Sequence, residues 1–276
     1  MSRAVTVREA EPPAPPARSV RSAAPLLVGV SLKLYLDIAE SRAWARGVAD
    51  AVGRHPAVLD GRVRLFALPS LPALPAVRDE LARTPVRVGA QDLHWEDRGA
   101  FTGGISGTDL RDVGCVFVEV GHAERRTVFG ETDAVAARKL AAAVRNGLTP
   151  VLCLGEDAEG PAADAAAVAG AQLREALAGL DPAVRCDLVV AYEPVWAIGQ
   201  PHPAPVEHVA TVVAALRGIL TADERIGASW VIYGGSAQAG SLSELGDGVD
   251  GLFLGRFAHD PAEFARIVDE AALLAT

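Results

Sequence analysis

The chain is poor in lysine. Of its 26 basic residues only Lys33 and Lys139 are lysines, and arginine serves everywhere else. Basic clusters are missing too. The net charge is −9 and no segment gathers cations, which excludes an extended nucleic-acid surface. Nothing approaches the roughly 18 consecutive apolar residues that suggest a membrane-spanning helix. The N-terminal stretch lacks the apolar segment of a secretory signal. Cysteine is scarce and odd in number: Cys115, Cys153 and Cys186 lie in or beside apolar runs. Buried thiols in a reducing cytoplasm fit this better than a disulfide framework. Their spacing, with no histidine paired to them, matches no metal site, and no metal or other cofactor is expected.

What is present describes a globular chain: 276 residues, 50% hydrophobic and 22% charged. Residues 1–25 are rich in Pro, Ala and Arg without apolar periodicity, and read as a disordered arm. From residue 26 onward short β-branched runs alternate with helical stretches. Strands are expected at 26–33, 63–68, 86–91, 115–120, 150–154, 187–193, 229–233 and 250–254. Helices are expected near 38–52, 70–83, 106–113, 132–146, 163–180, 205–220, 240–246 and 260–273. Trp44, Val48 and Val52 share one helical face, as do Val209, Val213, Leu216 and Leu220. Asp260, Pro261 and Glu263 open the last helix, and Asn146-Gly147 closes an earlier one. Eight βα units over residues 26–276 fit a closed (β/α)8 barrel of about 250 residues in a single domain. An open doubly wound sheet is the competitor. It usually carries a glycine-rich dinucleotide turn after its first strand, whereas this strand ends in Ser31-Leu32-Lys33.

Two segments stand out. Gly121-His122-Ala123-Glu124-Arg125-Arg126 and Tyr192-Glu193-Pro194-Val195-Trp196-Ala197-Ile198-Gly199 each follow an apolar β-run and deliver one titratable side chain at its C-terminal end. In parallel αβ proteins that edge of the sheet binds ligands. A His and a Glu placed there form an electrophile and a base suited to moving a proton next to a carbonyl. A carboxylate after an apolar strand is partly desolvated, which suits a base. A lysine at an apolar strand end, in a chain that otherwise uses arginine, suggests a need for the compact ammonium of Lys33. The segment after Glu193 is longer than ordinary connections and reads as a lid anchored by Trp196 and flexible at Gly199. Gly234-Gly235-Ser236 and Gly255-Arg256 follow the last two strands, where backbone N–H groups can cradle a phosphate.

These motifs, with Tyr233 before the glycine pair, resemble the triosephosphate isomerase family over residues 26–276. The resemblance implies a cofactor-free isomerase of a small phosphorylated sugar working through an enediolate. Glu193 is then the base, His122 the neutral electrophile and Lys33 the cation at the oxygen that becomes negative; these roles are carried over from the family. Ser31, Gly199, Gly234, Gly235, Ser236, Gly255 and Arg256 fall at substrate- or phosphate-binding positions, with Glu124 and Tyr233 supporting them. Glu124, Arg125, Arg126 and Glu131 read as a salt-bridge network beneath the site. The loop from Asp92 to Ser106 implies a homodimer, with Thr102 approaching the partner's site. Folding of this loop onto its own chain is the plainer alternative, against which the apolar Phe101 at its tip favours the dimer.

The chain also departs from the family pattern. Ser31 stands where Asn is usual, Asp92 and Ala123 replace an Asn and a Ser, Gly104 replaces an acidic residue, and Arg256 replaces a glycine. The lid reads Gln200-Pro201-His202-Pro203, and Pro201 has no N–H to donate. The proton-transfer trio is kept while its surroundings change. That pattern leans toward the branch that isomerises four-carbon erythrulose phosphates, with triose phosphate as the alternative. A catalytically inactive, metabolite-binding barrel is the reading of another class.

Overall fold

The computed structural model describes residues 25–200 and 202–275. Segment 1–24, nearly all of the expected arm, and Pro201 lie outside the described residues. Eight parallel strands close in chain order: β1 (Leu26–Ser31), β2 (Val63–Leu68), β3 (Arg87–Ala90), β4 (Phe117–Val120), β5 (Thr149–Leu154), β6 (Cys186–Tyr192), β7 (Ile226–Tyr233) and β8 (Gly251–Leu254). β8 returns to β1, with Val30 opposite Leu254. Around them run α1 (Ile38–Val52), α2 (Pro56–Leu59), α3 (Leu74–Leu81), α4 (Gly107–Asp112), α5 (Ala123–Phe129), α6 (Asp133–Arg145), α7 (Ala162–Ala178), α8 (Val206–Ala222), α9 (Ser241–Leu245) and α10 (Pro261–Leu274). The (β/α)8 expectation holds.

Strand alternation divides the apolar residues into two bodies. Leu27, Phe66, Val151, Val189, Ile232 and Phe253 point inward and pack together. Their neighbours Val28, Val30, Val118, Leu152 and Val190 point outward against the helices. Each side chain so buried contributes about 1.5–3 kcal/mol. Inside, the Phe66 ring lies 4.6 Å from Phe117 and 5.9 Å from Phe253, reaching across strands that are not neighbours. It can do so because Gly29 is bare: a Cβ there would lie 2.0 Å from the Phe66 ring.

Most helix signals are realised. The Asp260 side chain caps α10 with Pro261 in its first turn, and Gly147 follows α6 at φ 68°. Glu263 pairs with Arg266 one turn on and takes no part in the cap. Two short helices escaped the sequence reading, α2 and α5, because neither runs long enough to show a period. Outside, Phe264 meets the edge of Trp44 at 6.1 Å, and the Trp44 indole donates to the Ala258 carbonyl at 2.8 Å. Among the described residues no helix is long and apolar enough to cross a membrane.

Candidate active site

The C-terminal ends of β1, β4 and β6 bring Lys33, His122 and Glu193 to one mouth of the barrel. His122 caps α5: its Nδ1 accepts the Glu124 backbone N–H at 3.2 Å. An acceptor carries no proton, so the ring proton sits on Nε2, facing the barrel. Nε2 lies 3.6 Å from Glu193 Oε1 and 3.7 Å from Glu119 Oε1. Burial works against a charged ring, but the Glu193 and Glu119 carboxylates outweigh it and hold the His122 pKa above its ordinary value. Protonating Glu119 removes one of those two influences.

Lys33 takes a left-handed backbone, φ 51°, which costs a non-glycine residue on the order of 1–2 kcal/mol. The Gln91 amide holds it there, donating to the Lys33 carbonyl at 3.1 Å and to the Leu68 carbonyl at 2.9 Å. Its ammonium reaches Glu124 at 2.7 Å. Burial pulls the Lys33 pKa down, but Glu124 first, then Glu193 and Glu119, raise it above the usual value. Glu193 is buried, and its Oε2 has no hydrogen-bond partner. Ala123, with no hydroxyl to offer, follows His122 in the chain.

Two spaces open here, with Ser31, Lys33 and His122 lining both. A cavity of about 160 Å³ is lined by Glu193, Gly199, Gly234, Ser236, Gly255 and Arg256, so most of the expected phosphate residues converge. Gly235 does not line it. A Cβ at Gly235 would sit 2.6 Å from the Tyr233 hydroxyl, so this glycine permits close packing behind the turn. Gly234 faces the base, where a Cβ would fall 2.8 Å from Glu193 Cγ. Arg256 is exposed at the rim, its guanidinium 5.6 Å from the Tyr35 ring centroid. A larger cavity, about 700 Å³, extends past His122 and is lined by Ser31, Lys33, Gln91, Glu119 and Ile105 among others.

The segment after Glu193, expected as a lid, is tied on both sides of Pro201. Ser236 Oγ donates to the Ala197 carbonyl at 2.8 Å, and the Tyr233 hydroxyl accepts the Ala204 N–H at 2.9 Å. Beneath it, buried Glu156 accepts from the Trp196 indole at 2.7 Å and the Tyr192 hydroxyl at 3.1 Å, with His208 Nε2 at 3.1 Å. The sequence reading found Trp196 but missed Glu156, Gln91 and Glu119. The signal available was a carboxylate or amide inside or just beyond an apolar strand, where charged groups are seldom buried unpaired.

The expected salt-bridge network is rearranged. Arg125 and Glu131 join Asp92 and Lys139, Arg126 pairs with Asp133, and Glu124 belongs to Lys33. In the loop from Asp92 to Ser106, His94 stacks between Trp95 at 4.3 Å and Phe101 at 4.4 Å, while Thr102 is exposed. The loop therefore packs partly on itself, although Phe101 stays 43% exposed.

A closed parallel barrel that gathers a lysine, a histidine and a glutamate at the C-terminal ends of its strands, with glycine turns after β7 and β8, belongs to the barrel isomerases. The triosephosphate isomerase family model matches residues 26–271, and the chain belongs to that family. It is 50% identical over 252 residues to the L-erythrulose-1-phosphate isomerase of Pectobacterium atrosepticum, covering 91% of this chain and 97% of that protein. The triosephosphate isomerase of Moorella thermoacetica is 43% identical over 219 residues, 78% of this chain and 88% of its own. A second L-erythrulose-1-phosphate isomerase, from Mycolicibacterium smegmatis, is 40% identical over 266 residues, 94% of this chain and 97% of its own.

Proposed function

We propose that the chain interconverts L-erythrulose 1-phosphate and D-erythrulose 4-phosphate by cofactor-free proton transfer. The observation that carries this reading is the convergence of Lys33, His122 and Glu193 on a cavity that shares Ser31, Lys33 and His122 with a larger one beside it. Glu193 takes the proton from the carbon beside the carbonyl on the side away from the phosphate. The His122 Nε2–H and the Lys33 ammonium face the oxygen that becomes negative. The proton returns to the former carbonyl carbon while the hydroxyl proton passes to the former carbonyl oxygen, so one C–H and one O–H bond break, one of each forms, and the carbonyl moves one position along the chain. Donors aimed at a developing oxyanion supply most of the stabilisation in such a site. Backbone N–H groups at Gly199, Ser236 and Gly255 hold the phosphate, with Arg256 at the rim; the Gly234 N–H is spent on the Tyr192 carbonyl at 2.9 Å, so Gly234 gives space and no donor.

The lean to four carbons draws on the 50% identical relative and on Ser31, whose short side chain leaves room in the larger cavity. Triose phosphate is the second reading, favoured by the relative from Moorella thermoacetica. An inactive barrel has no use for a strained Lys33 braced by Gln91. Phe101 and the loop around it suit a homodimer, with Thr102 presented to the partner, in a cytoplasmic setting. Assays on erythrulose 1-phosphate beside dihydroxyacetone phosphate test the substrate: turnover of the triose alone sinks the four-carbon reading. Glu193→Asp tests the base. Withdrawing the carboxylate by about 1 Å is expected to cut kcat on the order of 10²-fold with KM nearly unchanged. A kcat within a few-fold of wild type removes Glu193 from that role.

A further inference from the structure

Glu119 has no part in the proton transfer just described, yet it borders it. It projects into the barrel from β4 on the same face as Phe117, and only 3% of it is exposed. Its Oε2 accepts from Ser31 Oγ at 3.1 Å. Its Oε1 has nothing comparable: the Cys153 thiol is 4.0 Å away and His122 Nε2 3.7 Å. A buried carboxyl with one oxygen so weakly satisfied is costly unless another donor arrives. Glu119 lines the larger cavity and is absent from the lining of the phosphate-side one. Ser31, in front of it, is short enough to leave it within reach of that space.

We propose that Glu119 is a specificity-determining residue whose Oε1 accepts a hydrogen bond from the terminal hydroxyl of a four-carbon ketose phosphate. The inference rests on the substrate reading above. With the phosphate in the glycine turns and the enediolate oxygens at His122 and Lys33, a fourth carbon extends away from the phosphate, toward Ser31 and Glu119. A three-carbon substrate has no hydroxyl to place there. An Oε1 that carries no proton accepts without donating. It therefore favours a hydroxymethyl end and offers no donor to a second phosphate or a carboxylate.

The test uses unreactive probes, erythritol 4-phosphate and glycerol 3-phosphate, titrated calorimetrically into wild type and Glu119→Val. Wild type is expected to prefer the four-carbon probe by about tenfold or more, and the variant to lose most of that preference. The ratio is the readout, so a loss common to both probes through His122 cancels. Should the valine variant not fold, Ser31→Asn carries the test: it keeps the carboxyl but places a longer side chain before it, and should lower the same ratio. No preference in wild type, or an unchanged ratio in the variants, overturns the role of Glu119. Failure of wild type to turn over erythrulose 1-phosphate, with the binding ratio behaving as expected, overturns the substrate reading and leaves Glu119 as a reader of the fourth carbon.

Discussion

Both lysines of this chain are largely withdrawn from solvent among carboxylates, and the two settings differ in a way that separates chemistry from architecture. Around Lys139, two cations (Lys139 and Arg125) face two anions (Asp92 and Glu131), and the Lys139 side chain is 4% exposed. Around Lys33, the neighbours include three carboxylates, Glu124, Glu193 and Glu119, with His122 among them and a left-handed backbone. Balanced charge is what a scaffold needs. An excess of anions and a strained backbone fit a place where charge must move, whereas a buried carboxylate oxygen without a partner occurs in both clusters, on Glu193 and on Glu131.

Exchanging each lysine for methionine gives the sharpest way to break this contrast. Lys33→Met should lower kcat/KM on the order of 10³-fold, since it deletes a cation aimed at the developing oxyanion. Its melting temperature should barely move, because the partner Glu124 is half exposed and such pairs contribute little. Lys139→Met should do the reverse. It strands Asp92 and Glu131 on Arg125 alone, a loss of about 3–5 kcal/mol, with kcat of the folded enzyme within a few-fold of wild type. Denaturant melts and steady-state kinetics on the same preparations decide; if Lys33→Met destabilises as much as Lys139→Met, the two clusters are not different in kind.

The smallest expected effect concerns pH. Burial pushes the Glu119 carboxyl up to about 7, above the ordinary 4.5. The folded protein therefore keeps a proton that the unfolded chain releases. This contribution is fully present below pH 4.5 and is lost as pH rises toward 7. The slope is at most about 1.4 kcal/mol per pH unit. Glu119→Gln has no such proton to lose, so its stability should fall less than that of wild type across the window. Parallel stability–pH curves for the two would show that Glu119 is not the group responsible.

Much of the barrel was legible in the sequence because parallel strands buried on both faces read as continuous apolar runs, and these fell within one to three residues of the observed strand ends. The same habit hid Glu119: inside Val118-Glu119-Val120 it was absorbed into the run, although alternation places it inward beside Phe117. The rarity of lysine flagged Lys33 and Lys139 alike, but only Lys33 lies at the end of a strand, and the partners of Lys139 are Asp92, just after β3, and Glu131, in the turn between α5 and α6. Gln91 and Glu156 could not be found by spacing, since each acts on a backbone or lid brought near only by closure of the barrel. The rearranged ion pairs have the same cause: four charges in sequence say nothing about which neighbours the fold will supply.

The bare Gly29 has a consequence for traffic. By letting the Phe66 ring settle between Phe117 and Phe253, it stoppers the barrel's centre with stacked rings. The barrel is a cup and not a pipe. Whatever enters at the mouth must leave by the mouth, since no route runs through the barrel's centre. On the proposed reading, an enediolate formed there meets the surrounding water from that one side.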